Sequence, residues 1–250
     1  MMGLQRIVHY DDKNSCEITL NKPVFRFPGN PILTAKEVNQ IWQNPAMQVT
    51  TVHNAGVTRL NDETIMLFRS HLRCGISVLG LAQSKNGIDS WEIAPEPALK
   101  PATEFDIFAN GTDPDKLIKN ESGGVEDPRI TKFEDEFAIT YSAYHATIKE
   151  RVRVSLATTK DFKTFVRYGP VLDLDMRNVV LFNEKIDGRY VGLFRPNDMT
   201  DGDTGGTYTQ IRIGYSDDWH LNQWEINAKP VMCTGFGPSA FSMVPPARIY

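Results

Sequence analysis

Gly123-Gly124-Val125-Glu126-Asp127-Pro128-Arg129-Ile130-Thr131-Lys132-Phe133-Glu134-Asp135-Glu136-Phe137-Ala138-Ile139-Thr140-Tyr141 reads as two short strands joined by an acidic turn. The paired glycines permit a bend that residues with a Cβ resist, and Pro128 fixes φ and removes a ladder donor. Asp127 is therefore expected at the entrance of the first strand, stiffly held. β-Branched and aromatic residues fill the two runs, as a half-buried pleated surface favours. Two acids and a guanidinium thus stand at the edge of an apolar layer, where a carboxyl can acquire a tuned pKa. A plain turn, in which Asp127 caps local amides and Arg129 pairs with Glu126, accounts for the same residues.

The same order of parts recurs on either side. Before this stretch come residues 55–60, the turn Asn61-Asp62-Glu63, residues 64–69, a third run at 76–82, the polar turn Ser84-Lys85-Asn86-Gly87 and Trp91. The quoted copy continues with residues 152–157, Thr159-Lys160-Asp161 and Phe165. A third copy has Val179-Val180-Leu181-Phe182, the turn Ile186-Asp187-Gly188, residues 189–194 and 210–215, Ser216-Asp217-Asp218 and Trp224. Each copy describes a four-stranded antiparallel blade, and blades arranged radially bury their faces against one another. The fold predicted is all-β, of the β-propeller type, with a β-sandwich as the competing topology. Trp91 and Trp224 fall at equivalent blade positions and read as core.

Residues 1–48 carry Pro23, Pro28, Pro31 and Pro45 and offer at most a short helix at Ala35-Lys36-Glu37-Val38-Asn39-Gln40-Ile41-Trp42. They read as an N-terminal arm packing on the propeller, whose blades occupy 49–250. Three copies are visible, whereas a ring of such blades needs about four or more. The run from residue 236 to 250 stops where another blade should begin, so the propeller is expected to be incomplete at the C-terminus.

The net charge of −4, without a basic tract, argues against nucleic acid or an anionic membrane as partner and favours a small ligand. Cys16, Cys74 and Cys233 lie far apart without a CxxC pair, which indicates neither a disulfide framework nor a thiolate metal site. With no signal-peptide stretch after Met1 and no run long enough to span a bilayer, the expected location is cytoplasmic. The five histidines lack metal-ligand spacing; His53, beside Asn54, is the one placed near a pocket. The loop Asp201-Gly202-Asp203-Thr204-Gly205-Gly206 lacks the ligand pattern of a calcium loop and reads as surface.

Propeller ligands bind where the innermost strands begin. The equivalent positions are Val52-His53-Asn54-Ala55-Gly56, Glu126-Asp127-Pro128-Arg129 and Arg177-Asn178-Val179-Val180. Arg69 and Arg195 end apolar strands in the first and third copies, and each calls for a carboxylate or an anionic ligand. For Arg69 or Arg195 a salt bridge to Glu126 or Asp127 would serve. Arg177, Asn178 and Arg195 together would make a multi-donor anion site suited to phosphate, and Asp127 could supply a proton.

At these residues the sequence resembles glycoside hydrolase family 130, five-bladed propellers that include the β-mannoside phosphorylases. The resemblance spans roughly residues 24 to 246. It rests on Asn54-Ala55-Gly56, Phe68-Arg69, the run from Gly124 to Thr131, residues 155–162, Val180-Leu181-Phe182 with Glu184-Lys185-Ile186, and Arg195-Pro196. It implies inverting phosphorolysis of a β-mannoside to mannose 1-phosphate, with inorganic phosphate as co-substrate, no other cofactor and no metal. Asp127 would be the general acid, passing its proton by way of a sugar hydroxyl. Asn54, Arg69 and Glu126 would bind the mannoside; Arg177, Asn178 and Arg195 would hold phosphate, with Arg73 a further candidate. One carboxylate suffices when phosphate is the nucleophile. Hydrolysis by the same fold and sugar binding without turnover are the alternative readings, and a homo-oligomer is left open. The chain departs from the family pattern at Phe194, where a histidine often stands, at Ser70-His71-Leu72 after Arg69, and at Pro238-Ser239-Ala240-Phe241-Ser242, where a lysine is usual.

Overall fold

The computed structural model describes residues 5–9, 15–19, 27–148, 151–197, 199–200, 207–208, 210–220 and 223–233. The expectations for residues 201–206 and 236–250 lie outside them. A hairpin of β1 (Gln5–His9) and β2 (Ser15–Thr19) is followed by α1 (Ala35–Trp42) and a 3-10 turn at Pro45–Met47. The first blade contains β3 (Val49–Leu60), β4 (Glu63–Leu72), β5 (Ser77–Ser84) and β6 (Glu92–Ile93). Between blades one and two lie β7 (Ile107–Phe108) and α2 (Pro114–Glu121). The second blade is β8 (Gly124–Phe133), β9 (Glu136–Tyr144), β10 (Val152–Thr159) and β11 (Val166–Pro170). The third takes β12 (Met176–Leu181) and β13 (Tyr190–Pro196) and, after the short hairpin of β14 (Met199–Thr200) and β15 (Thr207–Tyr208), β16 (Gln210–Ser216) and β17 (Glu225–Cys233). Strand orders are β3-β4-β5-β6, β8-β9-β10-β11 with β7 added at the outer edge, and β12-β13-β16-β17. Neighbouring blade strands are antiparallel, so the repeat read from the sequence is the blade of a propeller-type fold. Strand β7 joins β11 in parallel.

The period of two along β9 explains how the blades stack. Phe137, Ile139, Tyr141 and Ala143 enter an apolar layer shared with Ile65, Leu67 and Leu79 of blade one. Ala138, one residue out of phase, enters the layer shared with Met176, Val179, Leu181 and Phe194 of blade three. On that second face Thr140 and Thr131 donate through Oγ1 to the β12 carbonyls of Val179 (2.6 Å) and Leu181 (2.9 Å). Trp224 packs in the same layer and Trp91 against the core of blade one, in agreement with the packing role read from the repeat.

The polar turn of each blade is closed by a side-chain oxygen. Ser84 Oγ accepts from Gly87 N (3.1 Å), Thr159 Oγ1 from Phe162 N (2.9 Å) and Ser216 Oγ from Asp218 N (3.2 Å). These hydroxyls satisfy amides that a tight turn would otherwise leave open. Helix α1 begins with a capping box, Thr34 with Glu37, and packs Val38 and Trp42 against blade one. Trp42 Nε1 donates to the Ala94 carbonyl at 3.0 Å.

The segment between blades one and two, to which the sequence reading assigned no element, is secured by buried charge. Arg167 of β11 is 2% exposed; its guanidinium donates to Asp106 (2.9 Å), Glu121 (2.7 Å) and the Lys100 carbonyl (2.8 Å). Glu121, fully buried at the end of α2, also accepts from Tyr141 Oη (2.6 Å) and Ala102 N (3.0 Å). Burial pushes the Glu121 carboxyl above its ordinary value, against the pull of Arg167, Tyr141 and the Ala102 amide. Burial, reinforced by the neighbouring Glu121 charge, raises the Tyr141 phenol well above its own. No helix among the described residues is long and apolar enough to cross a membrane.

Removing one member of this network leaves a buried charge uncompensated. Arg167→Met is expected to destabilise the protein by about 3–5 kcal/mol. Combining it with Glu121→Gln should recover part of that loss, as read from denaturant midpoints.

Candidate functional site

The three innermost strands share a local defect that aims their polar residues. Pairing of β3 with β4 shifts register between His53 and Ala55, β8 with β9 between Glu126 and Arg129, and β12 with β13 between Arg177 and Val180. Inside each bulge one residue takes left-handed backbone: Asn54 at φ 46°, Asp127 at φ 52° and Asn178 at φ 54°. Asn and Asp tolerate that region better than other residues with a Cβ, so the residue type and the backbone agree. Asp127 thus lies within β8 and not at its entrance, because β8 already begins at Gly124. The proline falls at the bulge, where a missing ladder donor is tolerated.

Close approach of blade one to blade two depends on two glycines. A Cβ on Gly56 would lie 2.9 Å from the Pro128 carbonyl oxygen, and one on Gly124 would lie 2.8 Å from Ser77 N. Through this contact Asn54 Nδ2 reaches Asp127 Oδ1 at 2.8 Å. Arg69, from β4 of blade one, spans both acids: its guanidinium meets Glu126 Oε1 at 2.6 Å and Asp127 Oδ1 at 3.2 Å. Arg69 therefore has the carboxylate partners the sequence reading required. Arg129 does not pair with Glu126; it donates to the Asp127 and Pro128 carbonyls (3.3 and 3.0 Å) and to Asn178 Oδ1 at 3.4 Å. It joins the bulges of blades two and three instead.

Arg177 and Arg195 are direct cross-strand partners on β12 and β13. Like charges placed opposite one another repel, and neither guanidinium has a carboxylate partner among the described residues. Arg177 lies over the Tyr144 ring, 5.4 Å from its centroid. Asn178 sits beside them in the bulge. Arg73 is apart from this group: it occupies the turn after β4 and donates to Gln48 Oε1 at 3.4 Å.

Three contributors to the site escape the sequence reading. Tyr144, the last residue of β9, stands against Glu126 and beneath Arg177. Desolvation first, and then the Glu126 charge, push its phenol up to about 12, so it remains a neutral donor. The period of two extended past Tyr141 would have placed it on the face of Ser142. Ser77 and His71 are the other two, joined across β4 and β5. Ser77 Oγ lies 2.9 Å from Glu126 Oε1 and 3.0 Å from His71 Nδ1. No local sequence signal marks them, since His71 and Ser77 meet only across paired strands and Ser77 reaches Glu126 of another blade. His53, opposite Arg69 on β3, does border the cluster. Desolvation and the Arg69 charge lower its pKa below the ordinary imidazole value, outweighing Asp127 and Glu126. Among the described residues no group of acidic, histidine or cysteine side chains is arranged to hold a metal.

The Asn54 bulge separates backbone strain from side-chain function. Asn54→Gly should keep the thermal stability and free the Asp127 carboxylate, whereas Asn54→Ala should also lose about 1 kcal/mol to the left-handed backbone. Thermal melts of the two variants compare them.

The family model described as beta-1,4-mannooligosaccharide phosphorylase matches residues 21–219. A 1,2-beta-oligomannan phosphorylase of Thermoanaerobacter sp. (strain X514) is 29% identical over 215 residues, covering 83% of this chain and 60% of that protein. A beta-1,4-mannooligosaccharide phosphorylase of Ruminococcus albus is 28% identical over 180 residues, covering 70% and 47%. The chain thus spans 60% or less of the length of these two relatives. Among solved structures, a beta-1,2-mannobiose phosphorylase of Listeria innocua bound to beta-1,2-mannobiose superimposes with a TM-score of 0.63 at 21% identity, covering 86% of this chain and 67% of that one. That likeness concerns the fold, and it matches the propeller type read from the repeat. By the span of the family match, which takes in all three bulges, the chain belongs to glycoside hydrolase family 130.

Proposed function

We propose that the protein is a β-mannoside phosphorylase, using inorganic phosphate to cleave the glycosidic bond with inversion and release mannose 1-phosphate. The observation that carries this reading is the cross-strand pair Arg177 and Arg195, with Asn178 in the adjacent bulge of β12 and the cluster of Arg69, Glu126 and Asp127 on blades one and two. Two arginines at one register position, neither with a carboxylate partner among the described residues, suit a dianion, which guanidinium groups can bind through several N–H donors. Family membership and the phosphorylase relatives of both 1,2 and 1,4 linkage support the same reading.

In this mechanism phosphate attacks the anomeric carbon on the face opposite the leaving oxygen, so the C–O bond to the leaving sugar breaks as the C–O–P bond forms. The leaving oxygen takes up the proton of Asp127, directly or through a sugar hydroxyl, and Asp127 is reprotonated from the solvent or from hydrogenphosphate. Geometry distinguishes the two carboxyl oxygens. Oδ1 accepts from Asn54 and Arg69, whereas Oδ2 has no hydrogen bond among the described residues and is the oxygen suited to carry the proton. Asn54 and Arg69 would meet the mannosyl unit beside that carboxyl. Glu126, already engaged by Arg69 and Ser77, has less capacity left for sugar than its sequence position implied. Arg73, on a separate turn, contributes to phosphate only if a bound anion reaches it. The exposed thiol of Cys74 accords with a reducing, cytoplasmic setting.

Incubation with phosphate and β-1,2- or β-1,4-linked manno-oligosaccharides should yield mannose 1-phosphate. Asp127→Asn should reduce that release by about 10²- to 10⁴-fold, and Arg195→Ala should raise the KM for phosphate more than that for the sugar. Mannose release independent of phosphate would replace this reading by hydrolysis; binding of a mannoside without turnover would reduce it to recognition.

A further inference from the structure

Glu126 and Arg69 are themselves set in place by a pair of residues on the same face of the blade-one sheet as Arg69. Ser77 is fully buried on β5, directly across from His71 on β4. Its hydroxyl oxygen lies within reach of three groups: Glu126 Oε1 at 2.9 Å, Arg69 Nε at 3.2 Å and His71 Nδ1 at 3.0 Å. A serine hydroxyl has a single proton to give and lone pairs for two donors. A carboxylate can only accept, so that proton goes to Glu126. The Arg69 Nε–H can only donate, so it points at the Ser77 oxygen. The remaining lone pair of Ser77 must then be filled by His71, which fixes the proton on Nδ1.

We propose that His71, acting through Ser77, is a positioning residue that orients Glu126 and Arg69, and through Arg69 the Asp127 carboxylate. Each link is directional. His71 Nδ1–H saturates the Ser77 oxygen and turns its proton toward Glu126; Glu126 and Ser77 together fix the plane of the Arg69 guanidinium, whose other nitrogen meets Asp127 Oδ1. Without the imidazole donor, the Ser77 oxygen is held by the Arg69 Nε–H alone, and the direction of its proton toward Glu126 is less tightly set in a part-buried site. The consequence for catalysis rests on the phosphorylase reading above, whereas the proton position on His71 does not.

Two measurements test this separately. Nitrogen NMR of the labelled protein, above the pH range in which imidazole is protonated, should show the His71 proton on Nδ1, and Ser77→Ala should return it to the more common Nε2 form. A proton on Nε2 in the unsubstituted protein overturns the proposal, whatever the enzyme does. For activity, Asn places a donor near the position of Nδ1 and Gln near that of Nε2. His71→Asn should therefore retain the unsubstituted kcat, while His71→Gln and His71→Ala lose about 10- to 100-fold in kcat with the KM for phosphate unchanged. Equal kcat in all three variants, or rescue by Gln in place of Asn, overturns it. Absence of phosphorolysis in the unsubstituted protein would remove the functional reading and leave the NMR result to decide the role of His71.

Discussion

Arg69 has only 18% of its side chain exposed and cannot remain there without an anion, and the anions it finds belong to the next blade. This one contact joins blade one to blade two at the polar end of their innermost strands. It also gives each acid a definite oxygen to engage: Glu126 through Oε1, Asp127 through Oδ1. The free oxygen of Asp127 is a consequence of that arrangement. So is the need for Ser77 and His71, since a guanidinium that holds two carboxylates must have its own plane fixed.

Bringing the two blades close enough for this contact demands backbone features that a regular sheet lacks. The left-handed residues Asn54, Asp127 and Asn178 each interrupt an innermost strand at an equivalent position and turn polar side chains toward the neighbouring blades. Gly56 and Gly124 then allow those bulges to lie against strands of the adjoining blade without a Cβ between them. Arg129 repeats the theme one blade further on, closing on Asn178. The equivalence extends to the second strands: Arg69, Ser142 and Arg195 lie opposite His53, Glu126 and Arg177 in the residue pairs that precede each bulge. The middle blade has a small serine where its neighbours have arginine, and the acid opposite it is served by the arginine of blade one.

The site rests on a rigid support. Strand β9 is buried on both faces, so neither apolar layer can shift without disturbing the other. At its end Tyr144 contacts the site, and three residues earlier Tyr141 joins the buried network of Glu121 and Arg167. The same strand therefore links the candidate site to the segment between blades one and two.

Much of the architecture is local in origin and could be read from residue order. Alternation, turn chemistry and the recurrence of one pattern three times specify blades, because the period of a strand and the demands of a tight turn act over a few residues. The candidates Asn54, Arg69, Glu126, Asp127, Arg177, Asn178 and Arg195 were legible for the same reason: each interrupts an apolar pattern with a group that needs a partner. Their partners were legible only in part. Arg69 meets Glu126 and Asp127, the acids its position called for, whereas Arg129 passes over adjacent Glu126 for Asn178, because a bulge rotates side chains by amounts that no local pattern records. Ser77, His71, Tyr144 and the buried triad of Glu121, Tyr141 and Arg167 acquire their roles only across strands or between blades. The sequence by itself determined which groups must be paired; the stacking of one sheet on the next decided with which, since that distance exists only once the blades have met.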